Sequence, residues 1–378
     1  MEPAFWANSR SAARFLNGRA APPKRLALVA LSALALLSGL WAGLVRIGWP
    51  FPTLEPDLVT LHGPLMLGGF LGLVIGLERA VALGRSWAYA SPALAGVSSV
   101  ALLAGLPSAV GATCLLASSL LLIVIFQRLY RIRPEAATLL MLAGAGAWAI
   151  GNALWLAGWP LTSVVPWWVG FLVLTIIGER QELAQVLLAS RTRSLLVGCV
   201  CVVVAGLALS TASLTGGIQL AGLGLIGLAA WLLTYDVARR SLRRGGLARF
   251  SGVALLVGYV WLGLAGAIWL LGPERAFGGF WYDAMLHTVF LGFAFSMIFG
   301  HAPTIVPAIS GLAVPFQRHF YVHLVLLHAS LVLRVIGDVA AQPDLRRWGG
   351  MLNATAILLF IAVTFAAART GATSARPR

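Results

Sequence analysis

The stretch LVTLHGPLMLGGFLGLVIGLER, residues 58–79, decides the class of this protein. From Leu58 to Leu77 it carries no Asp, Glu, Lys or Arg, and about 20 apolar residues in helical form span the hydrocarbon core of a bilayer. The run is continuous rather than alternating, so of the two structures that satisfy their backbone in lipid, it reads as a helix and not a barrel strand. It also holds a histidine, His62, near its start and closes on Glu78-Arg79. Ionisable groups are costly inside such a segment, which makes them the first place to look for function.

Working outward, eleven further runs of the same kind lie near 26–46, 87–106, 109–127, 136–157, 163–185, 194–213, 216–235, 251–272, 281–301, 319–337 and 348–368. They define an all-α polytopic membrane protein of about twelve transmembrane helices. Residues 1–25 form an N-terminal tail, 26–368 a single transmembrane domain and 369–378 a C-terminal tail. Apolar residues make up 60% of the chain and charged residues 10%, against about 25% charged in soluble proteins. Twelve spans leave no room for a soluble domain.

The net charge of +15 does not point to nucleic acid, because the basic residues flank the apolar runs. There they set orientation and meet anionic headgroups. Arg10, Arg14, Arg19, Lys24 and Arg25 precede the first run, and further basic groups lie at Arg79–Arg85, Arg128–Arg133, Arg180–Arg193, Arg239–Arg249, Arg318 and Arg369–Arg378. With twelve spans all of these fall on one side, leaving Arg275 and Arg346-Arg347 as exceptions. The expectation is a bacterial inner-membrane protein with both termini cytoplasmic and the lipid bilayer as its first partner. The first run is too long for a signal-peptide core and reads as a retained helix. Cys114, Cys199 and Cys201 lie within spans without metal spacing and read as small buried hydrophobes.

Three spans echo one another. The sixth has Gly170-Phe171 and then Gly178-Glu179-Arg180; the tenth has Gly292-Phe293 and then Gly300-His301. The second has Gly69-Phe70 and then Gly76-Leu77-Glu78-Arg79, one residue displaced. They are four spans apart and share a direction, so the echo predicts a pseudo-three-fold arrangement of four-helix arcs. Chance pairing of residues common in membrane helices is the alternative.

All six histidines belong to this reading. His62 and His287 enter from the same face, each roughly 6 to 9 Å below it by helical rise. Two imidazoles at matched depth on different helices are what a bis-histidine haem iron requires; the alternative is a pair of histidines bonded to neighbouring backbone. Asp283, one turn before His287, can orient a neighbouring group. Arg334 can meet a haem propionate, or pair with Asp338 at i,i+4. Toward the other face lie His301, His319, His323, Glu78, Glu179 and Glu182, with His328 near mid-membrane. His301 and His323, with Glu179, form a candidate second site for copper or another divalent metal, or for a proton or a quinol headgroup. A Pro-containing loop from Pro303 to Pro315 is expected to bring the two histidines together. The alternative is a solvated cluster paired with Arg79 and Arg180.

Leu61-His62-Gly63-Pro64 through Gly69-Phe70, Leu286-His287 through Gly300-His301-Ala302-Pro303, and His328-Ala329-Ser330 through Arg334 to Asp338 together resemble the NnrS family. These are twelve-span haem- and copper-containing membrane proteins linked to denitrification and nitric oxide stress. More distantly the layout resembles haem-copper oxidase subunit I. The resemblance implies a haem-copper-oxidase-like bundle, a b-type haem, and a quinol or periplasmic carrier as electron partner. The departures are specific: no histidine falls between His62 and His287, and the tenth span has its histidines fourteen residues apart instead of within one turn. The three-histidine copper centre is therefore missing in that form. The expectation is a haem-binding protein of nitrogen-oxide or respiratory metabolism rather than an oxidase. Its rival is a transporter moving a metal ion, proton or small anion along a His/Glu-lined path.

Overall fold

The computed structural model describes residues 22–52, 56–184, 190–272 and 278–374. Among them there is no strand, and every apolar run is a helix. In chain order these are α1 (Pro23–Arg46), α2 (His62–Leu83), α3 (Ala90–Leu103), α4 (Ser108–Ile132), α5 (Ala136–Leu156) and α6 (Leu161–Ala184). There follow α7 (Ser190–Ser210), α8 (Leu214–Tyr235), α9 (Gly246–Leu271), α10 (Gly279–Ser310), α11 (Phe320–Val339) and α12 (Pro343–Ser374). Arg10, Arg14, Arg19 and Arg275, used above for orientation, lie outside the described residues.

Eleven of these helices, not twelve, are long and apolar enough to cross a membrane. The exception is α3, whose 14 residues rise only about 21 Å. Gly84 at φ +66° ends α2, a 3₁₀ turn over Ser86–Tyr89 follows, and Gly105 at φ +72° closes off the far end. Turn chemistry thus trims the expected 87–106 span at both ends. α3 still runs antiparallel to α4, because Ser91 bonds Ser118 while Ser98 bonds the Gly111 carbonyl.

A second correction concerns α10. Pro303 and Pro307, expected to open a loop, lie inside the helix, which continues to Ser310 and stops at Gly311 with φ +73°. Proline removes a backbone donor and tends to kink or end a helix. Here the helix stays continuous, and beside it the Ser251 hydroxyl on α9 donates to the Gly300 carbonyl at 2.7 Å, tying α9 to α10 just before Pro303.

Sequential helices pack through small residues, the usual device where lipid gives no hydrophobic drive between helices. At the α8–α9 contact, a Cβ added to Gly222 would meet the Gly266 carbonyl at 2.7 Å, and one added to Gly266 would meet the Gly222 carbonyl at 2.6 Å. Neither position admits a side chain without moving backbone. On α6, by contrast, the neighbours are large: Phe171 stacks on Trp148 of α5, with ring centres 4.8 Å apart.

The bundle has three inner helices. In α2, α6 and α10, 67%, 78% and 67% of the most apolar stretch is buried within the protein, against 28–56% in the other spans. They are the three that share the Gly-Phe echo. Two of them also share an irregularity. Leu65–Gly72 of α2 and Thr288–Phe295 of α10 are π-helical, eight residues each, with Gly-Phe at their fifth and sixth positions. π-turns are rare and gather at functional sites. Here each begins within three residues of a histidine, His62 or His287.

Candidate functional site: a paired-histidine cavity

The residues that position His62 come from α1 and α2 together. His62 is the first helical residue of α2, and Pro64 sits in the first turn, where no backbone donor is needed. Its ring leans into α1 at Gly43, where a Cβ would stand 2.8 Å from both Cε1 and Nδ1. Its Nδ1 lies 2.7 Å from the carbonyl of Gly39, one turn earlier on α1. Gly39-Leu40-Trp41-Ala42-Gly43 is thus a small-xxx-small seat for the imidazole. This glycine spacing is a sequence signal of close helix approach, and the reading above passed over it.

His287 is held by its own helix. Its Nδ1 lies 2.9 Å from the Asp283 carbonyl and 3.5 Å from the Asp283 carboxylate. The two imidazoles face one another with ring centres 6.2 Å apart and planes inclined by 23°. The matched depth does not come from equal positions along the helices, since His62 opens α2 while His287 ends the first, nine-residue section of α10. It comes from the different heights at which the two helices begin. A nitrogen bonded to a carbonyl is the protonated one, which leaves Nε2 of each ring as the free lone pair. Neither Nε2 has a hydrogen-bond partner among the described residues.

Both rings line a cavity of about 600 Å³, within the usual range for a small-molecule or cofactor site. Its walls are mostly apolar, from Met66, Leu71, Val165, Phe290, Leu291 and Phe295 among others. Arg46, Tyr282, Asp283, Arg334 and Arg346 line it as well.

Arg334 does line the cavity, but it does not pair with Asp338. Its Nε and Nη2 donate to the two oxygens of Asp283 at 2.7 and 2.9 Å. This planar fork on one carboxylate is the strong form of the interaction. Arg346 of α12 completes the layer, with Nη2 3.2 Å from Asp283 and Nε 3.2 Å from Asp338. A Cβ added to Gly349 would strike the Arg334 backbone, so α12 can lie this close only because it has glycine there.

At the opposite end of the inner helices the echo acquires a physical meaning. Arg79 of α2 donates to Glu179 of α6 at 2.7 Å, and it also pairs with its neighbour Glu78 at 3.0 Å. Arg180 of α6 lies 3.1 Å from Nε2 of His301 on α10, and it clamps both oxygens of Asp236 at 2.8 and 3.0 Å. Each Glu-Arg motif therefore reaches to the next inner helix. The third link, from α10 back to α2, is missing because Ala302 stands where an arginine would be required.

This arrangement separates the expected second metal set. Glu179 is engaged with Arg79, and Nε2 of His301 accepts from Arg180 while Nδ1 faces the Met297 carbonyl at 2.8 Å. His323 lies on another side of α10, against Phe299, Phe360, Phe320 and Phe250, with ring centres 4.9–6.2 Å away. It is 1% exposed, and neither of its nitrogens has a partner. Phe299 and His301 are two residues apart on α10, about 200° around the helix, so they present opposite faces, and the two histidines do not meet. Among the described residues no three His, Cys, Asp or Glu side chains gather as a metal group. His319 is exposed, and His328 is bonded within the bundle by Trp261 at 3.0 Å and Ser296 at 3.3 Å.

Fold and site together define a polytopic helical membrane protein with a cavity lined by a pair of facing histidines. Residues 25–369 match the family described as a domain of unknown function, DUF8744, and the chain belongs to it. No curated protein matches the chain.

Proposed function

We propose that this is a haem-binding protein of a bacterial inner membrane, with both termini cytoplasmic, in which His62 and His287 hold one b-type haem from opposite faces. The observation that carries the reading is the imidazole pair. Iron–nitrogen bonds of about 2 Å on each side, plus about 1.1 Å from nitrogen to ring centre, require imidazole centres about 6 Å apart. The observed separation is 6.2 Å. Carbonyl partners on both Nδ1 atoms fix the rings in the tautomer that leaves Nε2 available, which is the usual way a protein prepares a metal-binding histidine. When bound, a haem of this kind accepts and passes on one electron. The chain itself orients the two imidazoles, walls off water with leucine and phenylalanine, and balances charge beside His287 through Asp283 and its arginines.

The arrangement also favours a haem-copper-oxidase-like, NnrS-like bundle. α3–α6 and α7–α10 pack as successive antiparallel runs ending on α6 and α10, and α11, α12, α1 and α2 make a third group ending on α2. With no copper-type histidine set, the proposed role is electron transfer or ligand sensing in nitrogen-oxide or respiratory metabolism, with a quinol or periplasmic carrier as donor. The reading stops at one haem, since Glu179, His301 and His323 stand apart.

The test is a reduced-minus-oxidised optical spectrum of the purified full-length protein, with His62→Ala and His287→Ala beside it. A cytochrome b-like low-spin band lost in each variant is expected. No band in the wild type, or its survival in both variants, rejects the assignment and returns the cavity to the transporter reading.

A further inference from the structure

Three arginines line the cavity, and two of them are already neutralised. Arg334 and Arg346 share Asp283, and Arg346 also reaches Asp338, so two guanidinium groups face two carboxylates. Arg46 is different. It is the last residue of α1, it lines the cavity while remaining exposed, and it has no ion-pair or hydrogen-bond partner among the described residues. Tyr282 also lines the cavity, close enough for its hydroxyl to feel the Arg46 charge. The rim of the cavity therefore carries one uncompensated positive charge, next to walls that are mostly apolar.

Its place along α1 is informative. Gly43, three residues earlier, touches the His62 ring, so Arg46 stands one turn nearer the mouth, about 4.5 Å along the axis. The arginine side chain extends further. A flat ligand centred between the imidazoles would bring its edge, not its centre, to this guanidinium. An unpaired arginine at the mouth of a mostly apolar site is suited to a carboxylate, which its planar fork can hold through two hydrogen bonds.

We infer that Arg46, with the Tyr282 hydroxyl, is the anchor for a peripheral carboxylate of the ligand, and that the cavity selects a flat macrocycle bearing free acid groups. The inference rests on the haem reading above and deepens it. It moves the acid-binding role from Arg334, whose Nε and Nη2 are committed to Asp283, to a residue on α1. Arg334 and Arg346 instead hold the carboxylate next to His287.

The experiment titrates full-length haem-free protein in detergent with ferric haem and, separately, with its dimethyl ester, in which both carboxylates are blocked. Wild type should bind the free acid at least about tenfold more tightly than the ester, the lower end for a charge-assisted hydrogen bond. Arg46→Leu should weaken binding of the acid by that factor and leave the ester unchanged, with the low-spin spectrum retained at saturation. Arg46→Lys should recover only part of the preference, because it lacks the fork. Equal binding of acid and ester by wild type overturns the anchor while leaving the histidine assignment intact, as does an unchanged acid-to-ester ratio in Arg46→Leu. Failure of wild type to bind either form with a low-spin spectrum overturns the haem reading and the anchor with it. If Arg46→Leu does not fold, the wild-type ratio and Arg46→Lys still decide.

Discussion

Adding one methyl group at Gly43 tests the seat of His62. The new Cβ would stand 2.8 Å from the Cε1 and Nδ1 of His62 and 3.5 Å from Nε2, where comfortable heavy-atom separations are about 3.5–4.0 Å. The ring would have to retreat by roughly 0.7 Å or more. It is not free to do so, because Nδ1 is tied at 2.7 Å to the Gly39 carbonyl on the same helix. Either that bond breaks, or α1 and α2 move apart where they are packed so closely that a Cβ at Gly39 would meet the Met66 sulfur at 2.7 Å. Overpacking costs about 1–3 kcal/mol and the lost hydrogen bond about 1 kcal/mol more. A displacement of that size is also a large fraction of an iron–nitrogen bond of about 2 Å. Gly43→Ala should therefore lower the melting temperature in detergent and convert the low-spin spectrum to a high-spin one. Gly146→Ala on α5 is the matched control: it has nothing within 4 Å of its Cβ position, and helix propensity alone favours alanine by about 1 kcal/mol. If Gly43→Ala keeps the low-spin spectrum and melts with Gly146→Ala, the account of how His62 is held is wrong.

At the other end, Arg180→Leu strands Asp236, whose side chain is fully buried. Breaking one partner of a buried pair costs about 3–5 kcal/mol, so thermal melts should fall steeply, and adding Asp236→Leu should recover most of the loss. Arg180→Lys should rescue poorly, since a single ammonium cannot satisfy both Asp236 oxygens and His301 together. His323→Phe is expected to leave stability unchanged or raise it by about 1 kcal/mol, because an imidazole without partners is replaced by a ring suited to its phenylalanine surroundings. A clear loss of stability or of haem would show that His323 has a partner role. Metal analysis of the His301→Ala, His323→Ala double variant should find non-haem metal content unchanged; a stoichiometric loss would restore the second site.

Much of this molecule was determined by the sequence alone, for reasons of solvent. In lipid a backbone must bond to itself, so a 20-residue apolar run can only be a crossing helix, and length and polarity were enough to place ten of the spans within a few residues. The rarity of ionisable groups picked out His62 and His287, and the Gly-Phe echo picked out α2, α6 and α10 as the inner helices. Two local features went the other way. Glycines at 84 and 105 shortened α3, and α10 ran through Pro303 and Pro307 to Gly311, a left-handed glycine that ends it.

What only the tertiary structure decided was who pairs with whom across helices. Arg334 and Asp338 have the i,i+4 spacing of an ion pair, yet Arg334 chooses Asp283 on α10, because one carboxylate there meets the whole guanidinium fork. His301 and His323 were expected to meet across a Pro303–Pro315 loop between adjacent helices, but they lie on different sides of α10, one toward Arg180 and the other against Phe299 and its phenylalanine neighbours. The seat of His62 on Gly39 and Gly43, and the unpaired state of Arg46, depend on how α1 docks against α2 and on which charges α10, α11 and α12 have already taken. Helical periodicity fixes the face a residue occupies. Only the packing of the neighbouring helices fixes what that face meets.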